Sequence, residues 1–344
     1  MTNKIKFLLV KNIISDKNRK SILLISKDLM VLKKTHSYRE LRYYFRSLMY
    51  KKDAGNIHMY VNDTILLKIL KFNSQQGNWQ LLANKVDFIQ KMAKIPGSIP
   101  VYLGKIEKGY MYDTQGNSTA IKDKSDIVPI IDNLIKTHKT IFIKKNVSFG
   151  GKGVFRFNDT SAPLDIDKIN IHEDYLIEKG LIQHDDLNKI NPHCVNTVRV
   201  MSLNRNGIVK IPSCHLKMGV DNRHNDNVAT GGIFVNYDIE KNKLSEIAIR
   251  YINLLETRYY SHPNTHFVFK DQQLPYPDRV ISLVTKAAEL FPDRFVIGWD
   301  VAYTPEGPVI IEGNTNPCPV EIQLALRGMR NNKIYDELYH EFNN

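Results

Sequence analysis

The sequence predicts an α+β fold of mostly antiparallel sheets behind a helical N-terminal region. Three observations carry this. Up to about residue 138, apolar residues recur mainly at three- and four-residue intervals. From residue 140 short β-branched and aromatic runs take over, separated by Gly and Asp/Asn clusters. The composition, 42% apolar and 10% aromatic over 344 residues, can fill the cores of about two domains and excludes a disordered chain.

In chain order, YRELRYYFRSLMYKK (38–52) and NDTILLKILKF (62–72) read as short helices. The segment from 78 runs as a helix to about Lys94, breaks at Pro96-Gly97, and enters a strand, VYLGKI, after Pro100. SDIVPIIDNLIKTH (125–138) is a helix with Ser125 as its cap. TIFIKK, GVFRF, DYLIEKGL, NTVRVMSLN (196–204) and VKIPSCHLKMGV (209–220) are strands. DNRHNDNVATGG (221–232) offers no apolar content to bury and reads as a long mobile loop, a lid over bound ligands. DRVISLVTKAAELFP (278–292) is an amphipathic helix, and FVIGWDVAYT and GPVIIEGNTNP are paired strands joined at Pro305-Glu306-Gly307. A closing helix starts at about Ile334. The expected divisions are 1–80, a basic helical region; 81–178, a mixed α/β part; and 179–344, a mainly β part ending in the paired strands and the closing helix.

Charge is concentrated. Residues 1–72 hold sixteen Lys/Arg against five Asp/Glu, or +11 of the chain's +12. This fits an anionic partner such as an acidic glycan, a phosphate-linked lipid carrier or a membrane surface, and equally a solvated lysine-rich face. No nucleic-acid motif accompanies it, so nucleic acid is not expected. No apolar run approaches the roughly 18 residues of a membrane span. The first residues hold only a four-residue apolar core, Phe7 to Val10, so no secretory signal is expected. Cys194, Cys214 and Cys318 are isolated, which argues against disulfides or a zinc site and for a reducing compartment. The expected location is the cytoplasm, with peripheral contact at the inner membrane surface left open.

Two stretches carry chemistry. In FIKKNVSFGGKGVFRF (142–157), two strands flank a loop whose glycines let backbone N–H groups approach a phosphate while lysines add charge. In FVIGWDVAYTPEGPVIIEGNTNP (295–317), alternation puts Glu312 and Asn314 on one strand face, and the hairpin can bring that face beside Asp300. Two carboxylates and an amide oxygen are hard ligands suited to Mg²⁺, and carboxylates among such apolar strands need a cation.

Together these stretches resemble the ATP-grasp superfamily. NKVDFIQKMAKIPGSIP (84–100), YLIEKGLIQH (175–184) and NPHCVNTVRVMS (191–202) extend the resemblance. The series NTVRV, NVATGG, SHPNTHFVF with LPYP, IGWDVAYTPEGPVIIEGN and Gln323 resembles the sugar-transfer-associated branch, over about residues 80–330. The resemblance implies two α+β lobes with antiparallel sheets clasping ATP. By position, Lys144 matches the lysine on the α/β phosphates, and Gly151, Lys152 and Gly153 the loop over them. Glu178 and the backbone near Leu181 would frame adenine, with Lys85 accessory or structural. Asp300, Glu312 and Asn314 match the Mg²⁺ ligands, and Arg199 with Asn196 would face the γ-phosphate. Lys217 stands where an arginine is expected, and Lys145 where a proline is common. Strand alternation lets only one of Lys144 and Lys145 face the nucleotide, and the sequence is compatible with either.

The implied activity is an ADP-forming carboxylate–amine ligase working through an acyl phosphate. It would join an amino acid or amino compound to a sugar carboxylate in capsule or O-antigen biosynthesis. The alternatives are a kinase acting on a hydroxyl and a non-catalytic nucleotide-binding module. His262, His266 and His184 read as loop histidines ahead of substrate contacts, and Cys318 lacks the partnered base that a nucleophile needs.

Overall fold

The computed structural model describes residues 13–35, 44–45, 47–148, 153–158, 166–221, 223, 225–252 and 255–343. Two antiparallel sheets organise them. Strands β1 (Tyr102–Glu107), β2 (Tyr110–Tyr112), β3 (Ser118–Ala120), β4 (Ile141–Lys145), β5 (Val154–Phe157) and β6 (Tyr175–Lys179) pair in the order β3-β2-β1-β6-β4-β5. The second sheet runs β11-β10-β9-β8-β7-β12-β13. Its strands are β7 (Thr197–Arg205), β8 (Ile208–Met218), β9 (Ile233–Asp238), β10 (Lys243–Ile252), β11 (Leu255–Tyr259), β12 (Val296–Thr304) and β13 (Gly307–Asn314).

The helices are α1 (Ile22–Thr35), α2 (Asp63–Gln75), α3 (Gln80–Ala83), α4 (Lys85–Met92), α5 (Ile127–His138), α6 (Asp185–Ile190), α7 (Pro277–Glu289), α8 (Pro319–Leu326) and α9 (Lys333–Asn343). Helix α5 buries Ile127, Ile131 and Ile135, one stripe at four-residue spacing, in the core of the six-stranded sheet. Helix α7 buries Val280, Leu283, Val284, Ala287 and Ala288 in the core of the seven-stranded one.

Several sequence expectations need correction. The helix expected from 78 to 94 is two helices, because Asn84 adopts an extended backbone and caps α4 by accepting from the Asp87 N–H. The cap before α5 is Asp123, in a capping box with Asp126, and not Ser125. The loop at 221–232 does bury side chains: Val228 joins the core, and Asp226 accepts from the backbone N–H and hydroxyl of Thr197. A segment anchored in this way is not the free polar lid expected. Of the helix expected over 38–52, residues 38–43 and 46 lie outside the described residues, and 47–50 form a turn in which Leu48 has positive φ.

The N-terminal segment packs on the seven-stranded sheet. Tyr44, Leu48, Met49, Ile57 and Tyr60 share one core with Phe234, Ile249, Val320 and Leu324. Ile65, Leu66 and Ile69 share another with Met201, Leu203, Val296 and Ile322. Gln323 clamps the two together, its amide bonding both the N–H and the C=O of Val61. Some of the segment's positive charge is neutralised internally, Lys51 by Asp16 and Glu256 and Lys20 by Asp28. Lys33 is exposed, whereas Arg39, Arg42 and the Lys34 side chain lie outside the described residues. Among the described residues no helix is long and apolar enough to cross a membrane.

Asn73, near the end of α2, fixes this segment to the hairpin that carries the site. Its side chain accepts from the Val296 N–H at 2.9 Å and donates to the carbonyls of Val296 and Thr315 at 3.1 and 2.7 Å. Asn73→Ala orphans buried backbone groups and should lower stability by about 1–3 kcal/mol in denaturant unfolding. An unchanged midpoint would show that these bonds hold nothing.

Candidate active site

Registry across the seven-stranded sheet assembles the site. Arg199 on β7 pairs with Asp300 on β12 and His215 on β8, and Asp300 pairs with Glu312 on β13. Directly paired residues share a face, so all four lie on one side, joined by Lys217 two residues beyond His215. The β12–β13 ladder then slips: Val301 pairs with Ile310, leaving Ile311 unpaired in a bulge. The extra residue lets Ile310 stay in the core while Glu312 turns to the site.

Asp300 is the hub. Its carboxylate accepts from Arg199 Nε at 2.5 Å and Nη2 at 3.0 Å, and from Lys217 Nζ at 3.0 Å. Burial would raise its pKa, but Arg199 and Lys217 outweigh burial and hold it far below the carboxylate range. Glu312 is pushed the other way, first by burial and then by the charge of Asp300, to which it hydrogen-bonds. Asp226, 3.9 Å from Lys217, is also raised, mainly by burial. Asn314 spends its N–H groups on the Gly298 carbonyl and Glu312, both at 3.2 Å, which leaves its amide oxygen as the remaining ligand atom.

The donor set suits a hard cation. Four carboxylates (Asp226, Asp300, Glu312 and Glu321) surround two permanent cations, Arg199 and Lys217. A buried excess of negative charge is relieved by protons or by a divalent ion. Among the described residues no three His, Cys, Asp or Glu side chains cluster as a metal site, and the Asn314 amide lies beside Glu312 in the cleft wall.

The six-stranded sheet supplies the opposite wall. Asn146, just past β4, receives the Lys85 N–H on its carbonyl and the Val86 N–H on its side chain, both at 3.1 Å. This docks the start of α4 beside β4, where Lys85 Nζ donates to Ser148 Oγ at 3.0 Å. Lys144 Nζ lies 2.5 Å from Glu178 Oε2. Lys145, on the other strand face, pairs with Glu173 at 2.6 Å and lines a separate hollow with Phe155 and Tyr175. Gly153 has positive φ, and a Cβ there would come within 2.8 Å of Lys145. Gly151 and Lys152 lie outside the described residues.

Between the two walls lies a cleft of about 530 Å³, lined by Lys85, Lys144, Glu178, Glu312 and Asn314 among others. Asp300, Arg199 and Lys217 stand behind Glu312. The structure does not bring Leu181 or Asn196 to the cleft. Asn196 is fully buried, its amide bonding Gln183 and the carbonyl of Asn191. It lies an odd number of residues from Arg199, so alternation turns it to the opposite face. His184 caps α6, its Nδ1 accepting the Asp186 N–H at 3.2 Å. His262 is buried with Nε2 2.8 Å from the Gly219 carbonyl, and Cys318 is exposed without a side-chain capping bond before α8.

Sequence reasoning missed the pair His215 and Glu321, 3.3 Å apart beside Arg199. Burial lowers the His215 pKa, and Glu321 only partly offsets this, so the ring stays neutral near pH 7. Both residues sit outside any motif, and only the packing of α8 against β8 brings them together.

Two antiparallel lobes, with lysines of one facing carboxylates of the other across a cleft, define an architecture suited to clasping a phosphorylated ligand. The model of the sugar-transfer associated ATP-grasp family matches residues 69–334, and the chain belongs to that family. The match starts within α2, earlier than the expected residue 80. No curated protein matches the chain in sequence. Among solved structures, D-alanyl-alanine synthetase A from Vibrio cholerae O1 biovar eltor is similar at 13% identity and TM-score 0.44, over 77% of this chain and 66% of that one. L-amino acid ligase from Bacillus licheniformis is similar at 12% identity and TM-score 0.40, over 71% and 42%. N5-carboxyaminoimidazole synthetase from Staphylococcus aureus, complexed with ADP, is similar at 10% identity and TM-score 0.39, over 70% and 46%. The chain thus spans about two thirds of the first and under half of the other two.

Proposed function

We propose that the chain is an ATP-dependent carboxylate–amine ligase that activates a carboxylate as an acyl phosphate. Its setting would be surface-glycan assembly, where an amino acid or amino compound is joined to a sugar carboxylate. The observation that supports this best is the cleft itself, with Lys85 and Lys144 on one wall and Glu312 and Asn314, backed by Asp300, on the other. Mg²⁺, held by Asp300, Glu312 and Asn314, would supply charge neutralisation to the phosphates. Lys144 orients the nucleotide phosphates, and Glu178 keeps its ammonium in place. Arg199 and Lys217 fix the Asp300 carboxylate behind Glu312. No nucleophilic side chain is required. The cytoplasmic face of a membrane, with an anionic lipid-linked carrier met by the basic N-terminal segment, remains the location this reading favours.

Calorimetry with a non-hydrolysable ATP analogue and Mg²⁺ tests the nucleotide site. Lys144→Ala should weaken binding by about tenfold, near 1.4 kcal/mol, while Lys145→Ala, on the far strand face, should bind as wild type. Equal losses in the two variants, or none in Lys144→Ala, would contradict the assignment.

A further inference from the structure

One end of the cleft is built from residues that the ligase reading leaves unused, namely Ser74, Trp79, Arg294, Thr315 and Asn316. Arg294 is the anomaly. It is only 2% exposed, and its Nε is buried without a hydrogen-bond partner. Its Nη1 donates to the Gln76 carbonyl. Burial pushes its pKa down, and among the described residues no acid offsets that effect. A buried guanidinium without a counter-charge is unfavourable, and one lining a cleft invites an anion.

The surroundings are preformed. Gly77 has φ +54°, and a Cβ there would lie 2.5 Å from the Asp293 Cβ, so the chain before Trp79 presses against the turn that carries Arg294. Asn73 ties the same segment to Thr315. Trp79 keeps 42% of its surface exposed on the cleft wall.

We propose that Arg294 and Trp79 form an anchoring subsite for a non-reacting carboxylate of the amine donor. The guanidinium grips the carboxylate and the indole covers the body of the molecule. An amino acid held this way keeps its amine free for attack. The identity of the ligand as amine donor rests on the ligase reading; the carboxylate subsite does not. A sugar acid carries the same group and is the other source of this chemistry.

The chain has two tryptophans, Trp79 on the cleft wall and Trp299 fully buried, so a ligand-induced fluorescence change that is lost in Trp79→Phe reports on Trp79. The full chain is titrated with glycine, L-alanine, L-glutamate and glucuronate, and with methylamine and glucose as carboxylate-free controls, with and without MgADP. A saturable change is expected for at least one carboxylate and for neither control. It should weaken at least tenfold in Arg294→Gln and recover in part in Arg294→Lys. Ser74→Asp sets a carboxylate on the same wall while leaving Arg294 in place, and should weaken binding equally, which guards against misfolding of the first variant. A response to amino acids identifies the amine donor, and a response to glucuronate alone supports the subsite with a sugar acid as its ligand. The absence of any carboxylate-dependent change in the wild type, or undiminished affinity in Arg294→Gln and Ser74→Asp, overturns the proposal. Carboxylate binding without ADP release for any acceptor pair would sink the ligase reading and leave the subsite standing.

Discussion

Glu312→Gln should turn over at least about 10²-fold more slowly than wild type, with its affinity for an ATP analogue changed far less. The substitution keeps the shape of the side chain and removes one negative charge from the proposed Mg²⁺ ligands. ATP keeps Lys85 and Lys144 on the opposite wall, so binding survives. Phosphoryl transfer suffers more, because the charge to be offset shifts as the γ-phosphate departs. Burial and the nearby Asp300 already raise the Glu312 pKa, so the apo protein should tolerate the neutral side chain and stay folded through purification. Paired measurements of analogue binding and ADP release decide the matter. Near wild-type turnover in a folded variant would remove the metal assignment.

Arg199→Leu should cost about 3 kcal/mol of folding stability or more, the largest effect on stability expected at the site. Arg199 gives the buried Asp300 carboxylate two hydrogen bonds, and without it Lys217 is left as the cation bonded to that carboxylate. Removing one member of a buried pair leaves the other as an uncompensated charge. Arg199→Leu combined with Asp300→Asn should be more stable than the sum of the single effects predicts, since the second change removes the orphaned charge. Denaturant unfolding of the four proteins gives the coupling. A loss below 1 kcal/mol for Arg199→Leu, or strict additivity, would show that the pair is not coupled.

The last hairpin was legible in the sequence because alternation and an apolar strand context suffice to place Asp300, Glu312 and Asn314 together. The choice between Lys144 and Lys145 was not. It depends on which strand face meets the second lobe, and the pairs Lys144–Glu178 and Lys145–Glu173 settle the two side chains on opposite faces. Asn196 was misplaced for a related reason: it shares a short motif with Arg199 but has the opposite parity. The strands β9 to β11 went unread, and with them the register that sets Phe234 against His215. Asp226, Glu321, Trp79 and Arg294 reach the site or cleft through tertiary packing across long stretches of chain, where no local pattern points to them. The N-terminal region showed its charge in the sequence but not its docking, which depends on single contacts such as Gln323 with Val61.

The central claim is acyl phosphate chemistry, and transfer of ¹⁸O tests it most directly. ADP release is first screened over uronic acids crossed with amino acids, and the active pair is repeated with ¹⁸O in the acceptor carboxylate. Ligase chemistry predicts ADP formation that requires both partners, with one ¹⁸O passing from the carboxylate into inorganic phosphate. A phosphorylated hydroxyl product with no ¹⁸O in phosphate would contradict it.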